Sequence, residues 1–373
     1  MANVVTDTYE DELRSVGIAA GLDAVGVAPA DPFLGTRRDL EERKAAGLHG
    51  GMQFTYRRPE RSTDPGATLA GARSLVVGAR GYRRPEPATT VAGPGARVAR
   101  YARSDHYGEL RAGLDAVADH LRADGWAARV VLDDNALVDR EAAVRAGLGW
   151  YGKNANVLLP GRGSWFVLGS VVTDAALEPA AGPVPDGCGP CRRCIDACPT
   201  GAIIAPGVVD ARRCLAWLVQ APGDVPRRHR VALGSRIYGC DDCQEVCPPN
   251  LREGRRPATG GPGEAEVDVL EVLRATDDEL LARHGRWYIP RREPRYLRRN
   301  ALVVLGNVGD PGDAAVVAAL ERFLASPDPM LRSHAAWAAR RMGRSDLLAV
   351  LVDDADPSVR QELAAPPPPD RPG

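Results

Sequence analysis

The chemistry-bearing residues of this chain are eight cysteines, all between positions 188 and 247. Cys188, Cys191, Cys194 and Cys198 form C-x2-C-x2-C-x3-C-P. After Cys214, a second run of Cys240, Cys243 and Cys247 repeats C-x2-C-x3-C-P. Gaps this short let three thiolates of one loop cap three irons of a cubane, while the fourth cysteine reaches the neighbouring cluster. The proline behind each run fixes φ and has no N–H, so the chain turns away. The spacing assigns Cys188, Cys191, Cys194 and Cys247 to one [4Fe–4S] cluster, and Cys198, Cys214, Cys240 and Cys243 to another. Zinc knuckles and disulfides are the alternatives, since C-x2-C pairs also suit zinc. Three cysteines at x2 steps followed by x3-C-P favour iron and sulfur.

Two clusters alone make an electron conduit, so an enzyme needs a place where the electrons are used. Residues 132–160, LDDNALVDREAAVRAGLGWYGKNANVLLP, are the strongest candidate. They put acids at the end of a strand, where α/β sheets open their crevices, then supply a helix, a glycine turn and Lys153-Asn154. Asp133 reads either as a cleft acid or as a solvated loop residue, and Asp139 before Arg140 as capping. Lysine occurs only at Lys44 and Lys153 in this arginine-rich chain. A retained lysine is a compact donor that arginine cannot always replace. Neither a GxGxxG following a strand nor a GxxxxGK[ST] loop is present, so nicotinamide chemistry and nucleotide hydrolysis find no support. Residues 283–299, RHGRWYIPRREPRYLRR, mix seven arginines with Trp287, Tyr288 and Tyr296. Such a patch suits phosphates and unpaired bases, or it is a solvated face.

The elements that must position these groups alternate. Helical periodicity covers 8–21 and 108–124, where Leu110, Leu114, Val117 and Leu121 form a stripe. Apolar strands are expected at 23–30, 74–82, 128–134 and 164–174. Residues 140–149 read as a helix stopped by glycine. The expectation is a layered α/β domain over 1–180, its sheet parallel or mixed. A double-cluster ferredoxin-like module follows at 181–250, then a linker and basic segment at 251–294. From 295 to 365, three Asp-Pro pairs each lead into a helix, which suggests HEAT-like repeats. The proline-rich tail 366–373 reads as disordered. The formal net charge of −1 leaves no global field to draw nucleic acid. The early acids of the N-terminus argue against a signal peptide, and no apolar run approaches a membrane span. Together with thiolate-held clusters this leads us to expect the cytoplasm.

The order of Asp133, Leu137, Asp139-Arg140 and RAGLGWYGKN, then GSWFVLGSVVTD, CGPCRRCIDACPTGAI, RCLAWL and YGCDDCQEVCPPN, resembles the epoxyqueuosine reductases. The resemblance spans about residues 8–360. It implies a reductase that converts epoxyqueuosine at the tRNA wobble position to queuosine. Electrons would pass through two [4Fe–4S] clusters to cobalamin (as cob(II)alamin) held in the N-terminal domain. It implies Asp133 as proton donor, and cofactor contacts at Arg61, Asp133, Arg140, Lys153, Asn154, Val157, Leu168, Cys240 and Asp241. The implied partners are a tRNA anticodon stem-loop and an external electron donor such as flavodoxin or ferredoxin, with the protein a monomer. The chain departs from the pattern at Asp134-Asn135, where small residues are usual, and at Asp105-His106-Tyr107, where the family has D-Y-H. A small-molecule corrinoid reductase and a non-catalytic electron carrier are the competing readings.

Overall fold

The fold is seen in a computed structural model, which describes residues 8–87, 91–180, 182–258 and 260–369. Residues 1–7 of the N-terminal stretch and 370–373 of the tail lie outside the described residues. The chain forms two compact units, each assembled from separate stretches of sequence. The first comprises 1–84, 104–212 and 242–260, and the second 85–103, 213–241 and 261–373. The segment 181–250 is therefore shared between the two.

The first unit is built on a four-stranded sheet. Strand Ala24–Pro29 pairs with Ser74–Gly81, which pairs with Phe166–Thr173, which pairs with Ala128–Val131. All three pairings are antiparallel. The sheet is thus antiparallel rather than parallel or mixed as expected from the sequence, and Asp133 follows one of its strands. Leu75, Val77 and Ala79 face a core that includes Ala142 and Ala143 of helix Asp139–Arg145. Gly78 and Gly169 face Leu114 of helix His106–Ala123 on the opposite side. Burial on both faces explains why these strands read as continuous apolar runs rather than alternating ones. Gly26 is required where that first helix ends, since a Cβ there would stand 2.3 Å from the carbonyl of Ala146.

The second unit has a small sheet in which Gly95–Val98 pairs parallel to Arg236–Tyr238 and antiparallel to Glu266–Asp268. Helices Arg295–Val308, Ala314–Leu324, Pro329–Arg341 and Pro357–Ala364 follow. Asp328 and Asp356 cap two of them, with proline at the first turn, as the Asp-Pro echo predicts. The first echo differs. Asp313, not Asp310, is the cap, and Asp310 instead accepts the amide of Gly312 in a turn.

Two expectations need correction. The segment 251–294 is largely folded: helices Val269–Arg274 and Asp277–His284 bury Leu270, Leu273 and Leu280 in the core of the second unit. Thr276 and Glu279 form a capping box that starts the second of these helices. In the tail, the carbonyls of Pro366 and Pro369 accept hydrogen bonds from Arg227 and Arg341, so residues 366–369 are held. Among the described residues no helix is long and apolar enough to cross a membrane.

Candidate active site and cluster module

Asp133 lies two residues beyond the end of strand Ala128–Val131, in a loop anchored by buried Leu132, Ala136 and Leu137. Its φ of +49° is left-handed, which for a non-glycine residue costs free energy that the surrounding contacts must offset. Those contacts are explicit. The Ser62 hydroxyl donates to the Asn135 carbonyl at 2.9 Å, and the Val138 amide donates to the Ser62 carbonyl at 3.0 Å. Asp134 closes the turn by accepting the Ala136 amide at 2.6 Å. The unusual second acid therefore has a structural task. Arg61, next to Ser62 on the short helix Pro59–Ser62, belongs to the segment that braces this loop.

Water touches the Asp133 side chain, yet burial by the surrounding protein, with the charge of Asp134 adding to it, pushes its carboxyl up to about 6. The two facts describe one geometry, a carboxyl open to solvent on one side and enclosed by protein on the others. Asp139 begins helix Asp139–Arg145, and the cap residue is Val138, so the capping reading of Asp139 does not hold. Burial raises the Asp139 carboxyl well above its usual range. Asp134 and Asp133 add to this, while Arg140 and the backbone N–H of Asp133 oppose it. Burial also raises the Tyr107 phenol, with Asp133 and Asp139 contributing. Three acidic groups, Tyr107, Asp133 and Asp139, thus meet with Arg140 beside them. His106, the other half of the inverted pair, is fully buried, and burial holds its imidazole neutral at about 4. The residue turned toward the acids is therefore the phenol. Arg61 and Arg140 are exposed, and among the described residues their side chains make no hydrogen bond or ion pair.

Lys153 and Asn154 serve the cysteine loops. Lys153 donates to the carbonyls of Gly189 (2.6 Å) and Cys191 (2.9 Å), and Asn154 donates to the carbonyl of Cys243 (3.4 Å). Both come from the turn after strand Trp150–Tyr151, where Ala155 takes a φ of +62°. Val157 is packed in the core of the first unit, and Leu168 lies half-buried against that core. Gln244 and Asn250, which no motif singles out, fix the second cysteine run. Gln244 donates to the Tyr82 hydroxyl at 2.9 Å, and Asn250 accepts the Ser164 amide at 2.6 Å. Buried amides within and just after a cysteine run carry no pattern a single sequence displays.

None of the eight cysteines is in a disulfide, and all are half-buried. Burial raises the Cys247 thiol to about 11, with Cys188, Cys194 and Cys191 adding to it, so these four thiols are neighbours. Cys198 is held below its ordinary value: burial opposes this, but the amides of Thr200, Ala202 and Ile203 point at its sulfur. The Ala202 contact is 3.2 Å. Among the described residues no group of three or more His, Cys, Asp or Glu side chains is arranged for a single metal ion. Cys214 and Cys240 lie in the second unit, as does Asp241. Asp241 is buried and accepts the Arg100 amide at 2.8 Å, a contact that anchors its own loop.

The basic segment is thinner than its composition. Arg283 pairs with Glu264 and Glu271, Arg286 donates to the Ala102 carbonyl, Arg295 pairs with Asp328 and Arg298 with Asp277. Trp287 and Tyr296 are buried. The exposed remainder is Tyr288, Arg291, which stands 3.9 Å from Glu293, and Arg292, which donates to the Gly285 carbonyl; both arginines have positive φ.

The cysteine module matches the model of the 4Fe-4S double cluster binding domain over residues 187–250, and residues 288–365 match HEAT repeats. Over 89% of its length the chain is 35% identical to an epoxyqueuosine reductase of Xanthomonas campestris, of which the match covers 95%. The chain belongs to the epoxyqueuosine reductase family. It is an oxidoreductase with a mixed α/β domain, a double [4Fe–4S] cluster binding domain and C-terminal HEAT repeats. It is similar to an epoxyqueuosine reductase crystallised with an epoxyqueuosine-modified tRNA-Tyr stem loop. That match has a TM-score of 0.85 and 28% identity, covering 95% of this chain and 96% of the other. A Bacillus subtilis epoxyqueuosine reductase, captured with its catalytic aspartate loop swung out of the active site, matches with a TM-score of 0.84 and 28% identity. The coverage is 95% of this chain and 96% of that one.

Proposed function

We propose that the chain reduces the epoxide of epoxyqueuosine in tRNA to queuosine, with cobalamin as resident cofactor and Asp133 as proton donor. The observation that carries this is the Asp133 carboxyl, raised to about 6 beside Tyr107 and Asp139 in a chain of this family. An acid so placed keeps a usable proton near neutral pH. The net change is opening of the epoxide to an alkene, which takes up two electrons and two protons and releases water. Asp133 delivers a proton to the departing oxygen. Arg61 and Arg140, whose exposed side chains form no ion pair among the described residues, suit the polar periphery and phosphate of a corrinoid. The chemistry that cobalamin supplies when bound is electron delivery from low-valent cobalt.

One [4Fe–4S] cluster takes Cys188, Cys191, Cys194 and Cys247, supported by the mutual influence of those thiols. The other takes Cys198, Cys214, Cys240 and Cys243. Lys153 and Asn154 act on cluster-loop carbonyls rather than on the corrin, and Val157 acts as core. The RNA contact centres on Tyr288 and Arg291. An external low-potential donor such as flavodoxin or ferredoxin supplies electrons to the monomer in the cytoplasm.

The test is anaerobic reconstitution with iron, sulfide and cobalamin, followed by mass spectrometry of an epoxyqueuosine stem-loop. Conversion to queuosine, and accumulation of epoxyqueuosine in tRNA of a strain lacking the protein, are the expected results. Cobalamin uptake without any conversion would favour a small-molecule substrate and sink the tRNA reading.

A further inference from the structure

Two cysteines of the second unit, Cys214 and Cys240, sit on segments that a single pair of side chains joins. Cys214 precedes the short helix Leu215–Leu218, whose first turn closes on the Cys214 carbonyl. Cys240 follows strand Arg236–Tyr238 by one residue, Gly239, where a Cβ would stand 2.4 Å from that of Ala99. Helix Arg295–Val308 of the HEAT-like array presents Arg299 and Asn300 to both segments. The Asn300 amide nitrogen donates to the Val219 carbonyl at 2.8 Å and to the Ile237 carbonyl at 3.0 Å. Val219 lies five residues after Cys214, and Ile237 three before Cys240. One amide therefore ties the two cysteine-bearing segments together.

Arg299 completes the clamp. Its guanidinium donates to the carbonyls of Leu218 (3.1 Å), Val219 (3.3 Å) and Ala221 (2.7 Å), and also to that of Gly223. It further donates to the Asn300 side-chain oxygen at 2.8 Å, which fixes the orientation of that amide. Both side chains are fully buried, and these acceptors are all neutral. The arginine thus satisfies the orphan carbonyls at the end of the helix behind Cys214 and leaves a positive charge fixed in that region. A core arginine with no other task would be an expensive way to fill space.

We propose that Arg299 and Asn300 are positioning residues for the second [4Fe–4S] cluster: they hold Cys214 and Cys240 in register from the helical array. Assembly and reduction potential of that cluster then depend on the array. This rests on the ligand assignment above and on no feature of the substrate.

The experiment uses the full chain, reconstituted anaerobically, as wild type, Asn300→Leu, Arg299→Lys and Arg299→Gln. Iron and sulfide content, EPR-monitored redox titration and far-UV circular dichroism are the measurements. Wild type should hold about eight irons; fewer would count against the two-cluster reading itself. Asn300→Leu should fall toward about four irons, keeping the spectrum of the cluster on Cys188, Cys191, Cys194 and Cys247, with helical content unchanged. Arg299→Gln should lower the midpoint potential of one cluster only, because a fixed positive charge favours the more negative reduced state. Arg299→Lys, which keeps the charge but not the fan of donors, should retain more of that potential than Arg299→Gln. Both clusters unaltered in Asn300→Leu and Arg299→Gln would overturn the proposal. So would equal loss of both clusters across the variants, Arg299→Lys included, since the pair would then be general core.

Discussion

Asp133→Asn removes the acid from the candidate site while keeping the volume of the side chain. In the wild type, burial with the help of Asp134 holds the carboxyl at about 6. Half of the molecules then carry the proton near pH 6 and roughly one in thirty at pH 7.5, each further unit costing about tenfold, or about 1.4 kcal/mol. Turnover should therefore decline on a basic limb that begins near pH 6. The Asn variant should be slower by about 10²–10⁴-fold, the contribution of a positioned acid. Stability should move the other way. A carboxyl whose folded pKa lies above its unfolded value makes the native state bind more protons. Its penalty is absent below about pH 4, grows as the pH rises, and is complete above about pH 6. The full shift corresponds to about 3 kcal/mol, but water reaches this carboxyl, and screening reduces the effect to roughly 1 kcal/mol. Asp133→Asn should thus be slightly more stable than wild type at pH 8 and no more stable at pH 4. Single-turnover conversion of an epoxyqueuosine stem-loop from pH 5.5 to 8, with urea denaturation at both extremes, measures both effects. A variant within tenfold of wild type, or a flat wild-type profile, refutes the proton-donor role.

Asp134→Asn keeps the oxygen that accepts the Ala136 amide but removes a charge that raises Asp133, so the basic limb should begin at lower pH in the same assay. Lys153→Met loses the bonds to the Gly189 and Cys191 carbonyls, each worth about 1.5–3 kcal/mol when charge-assisted. It should release iron to a chelator faster, with the pH profile of residual activity unmoved. Arg291→Ala should weaken stem-loop binding and reduce its salt slope by about one, as fluorescence anisotropy would read. Arg298→Ala, whose side chain is tied to Asp277 and to the Ala275 carbonyl, should leave that slope unchanged.

The double-cluster module was legible in the cysteine spacing because cluster ligation is a local constraint: three ligands from one loop force short fixed gaps. The strands of the first unit were legible for the same reason, as apolar runs with glycine and charge at their ends. Strand direction was not legible, because burial on both faces erases the alternation that marks an antiparallel sheet. Asp133 could be named from its motif, but what raises its carboxyl is first burial by packing that the sequence does not display and then Asp134. The segment 251–294 misleads because its glycines, prolines and arginines look solvated. Two of its arginines instead end on more distant groups, Arg283 on Glu264 and Glu271 and Arg286 on the Ala102 carbonyl. Charge composition records how many arginines a segment has and says nothing of where their partners lie.

Asp139 allows the electrostatics of the site to be tested apart from its catalysis. Its carboxyl is held well above the usual range, by burial first and then by Asp134 and Asp133, which favours the protonated, neutral form. In keeping with that, the causes that raise Asp133 are burial and Asp134. Asp139→Asn exchanges that acid for a neutral amide whose oxygen can still face the Asp133 N–H. The basic limb of the pH–rate profile should then stay where it is in the wild type. Were Asp139 ionised, removing its negative charge would lower the Asp133 pKa and draw the limb to lower pH. A limb displaced by a unit or more therefore refutes the neutral assignment. The height of the profile answers a separate question, because the epoxide takes up two protons and Asp133 holds one. A rate lowered at every pH with the limb in place would assign Asp139 to the supply of the second proton, and a rate preserved would leave that proton to solvent.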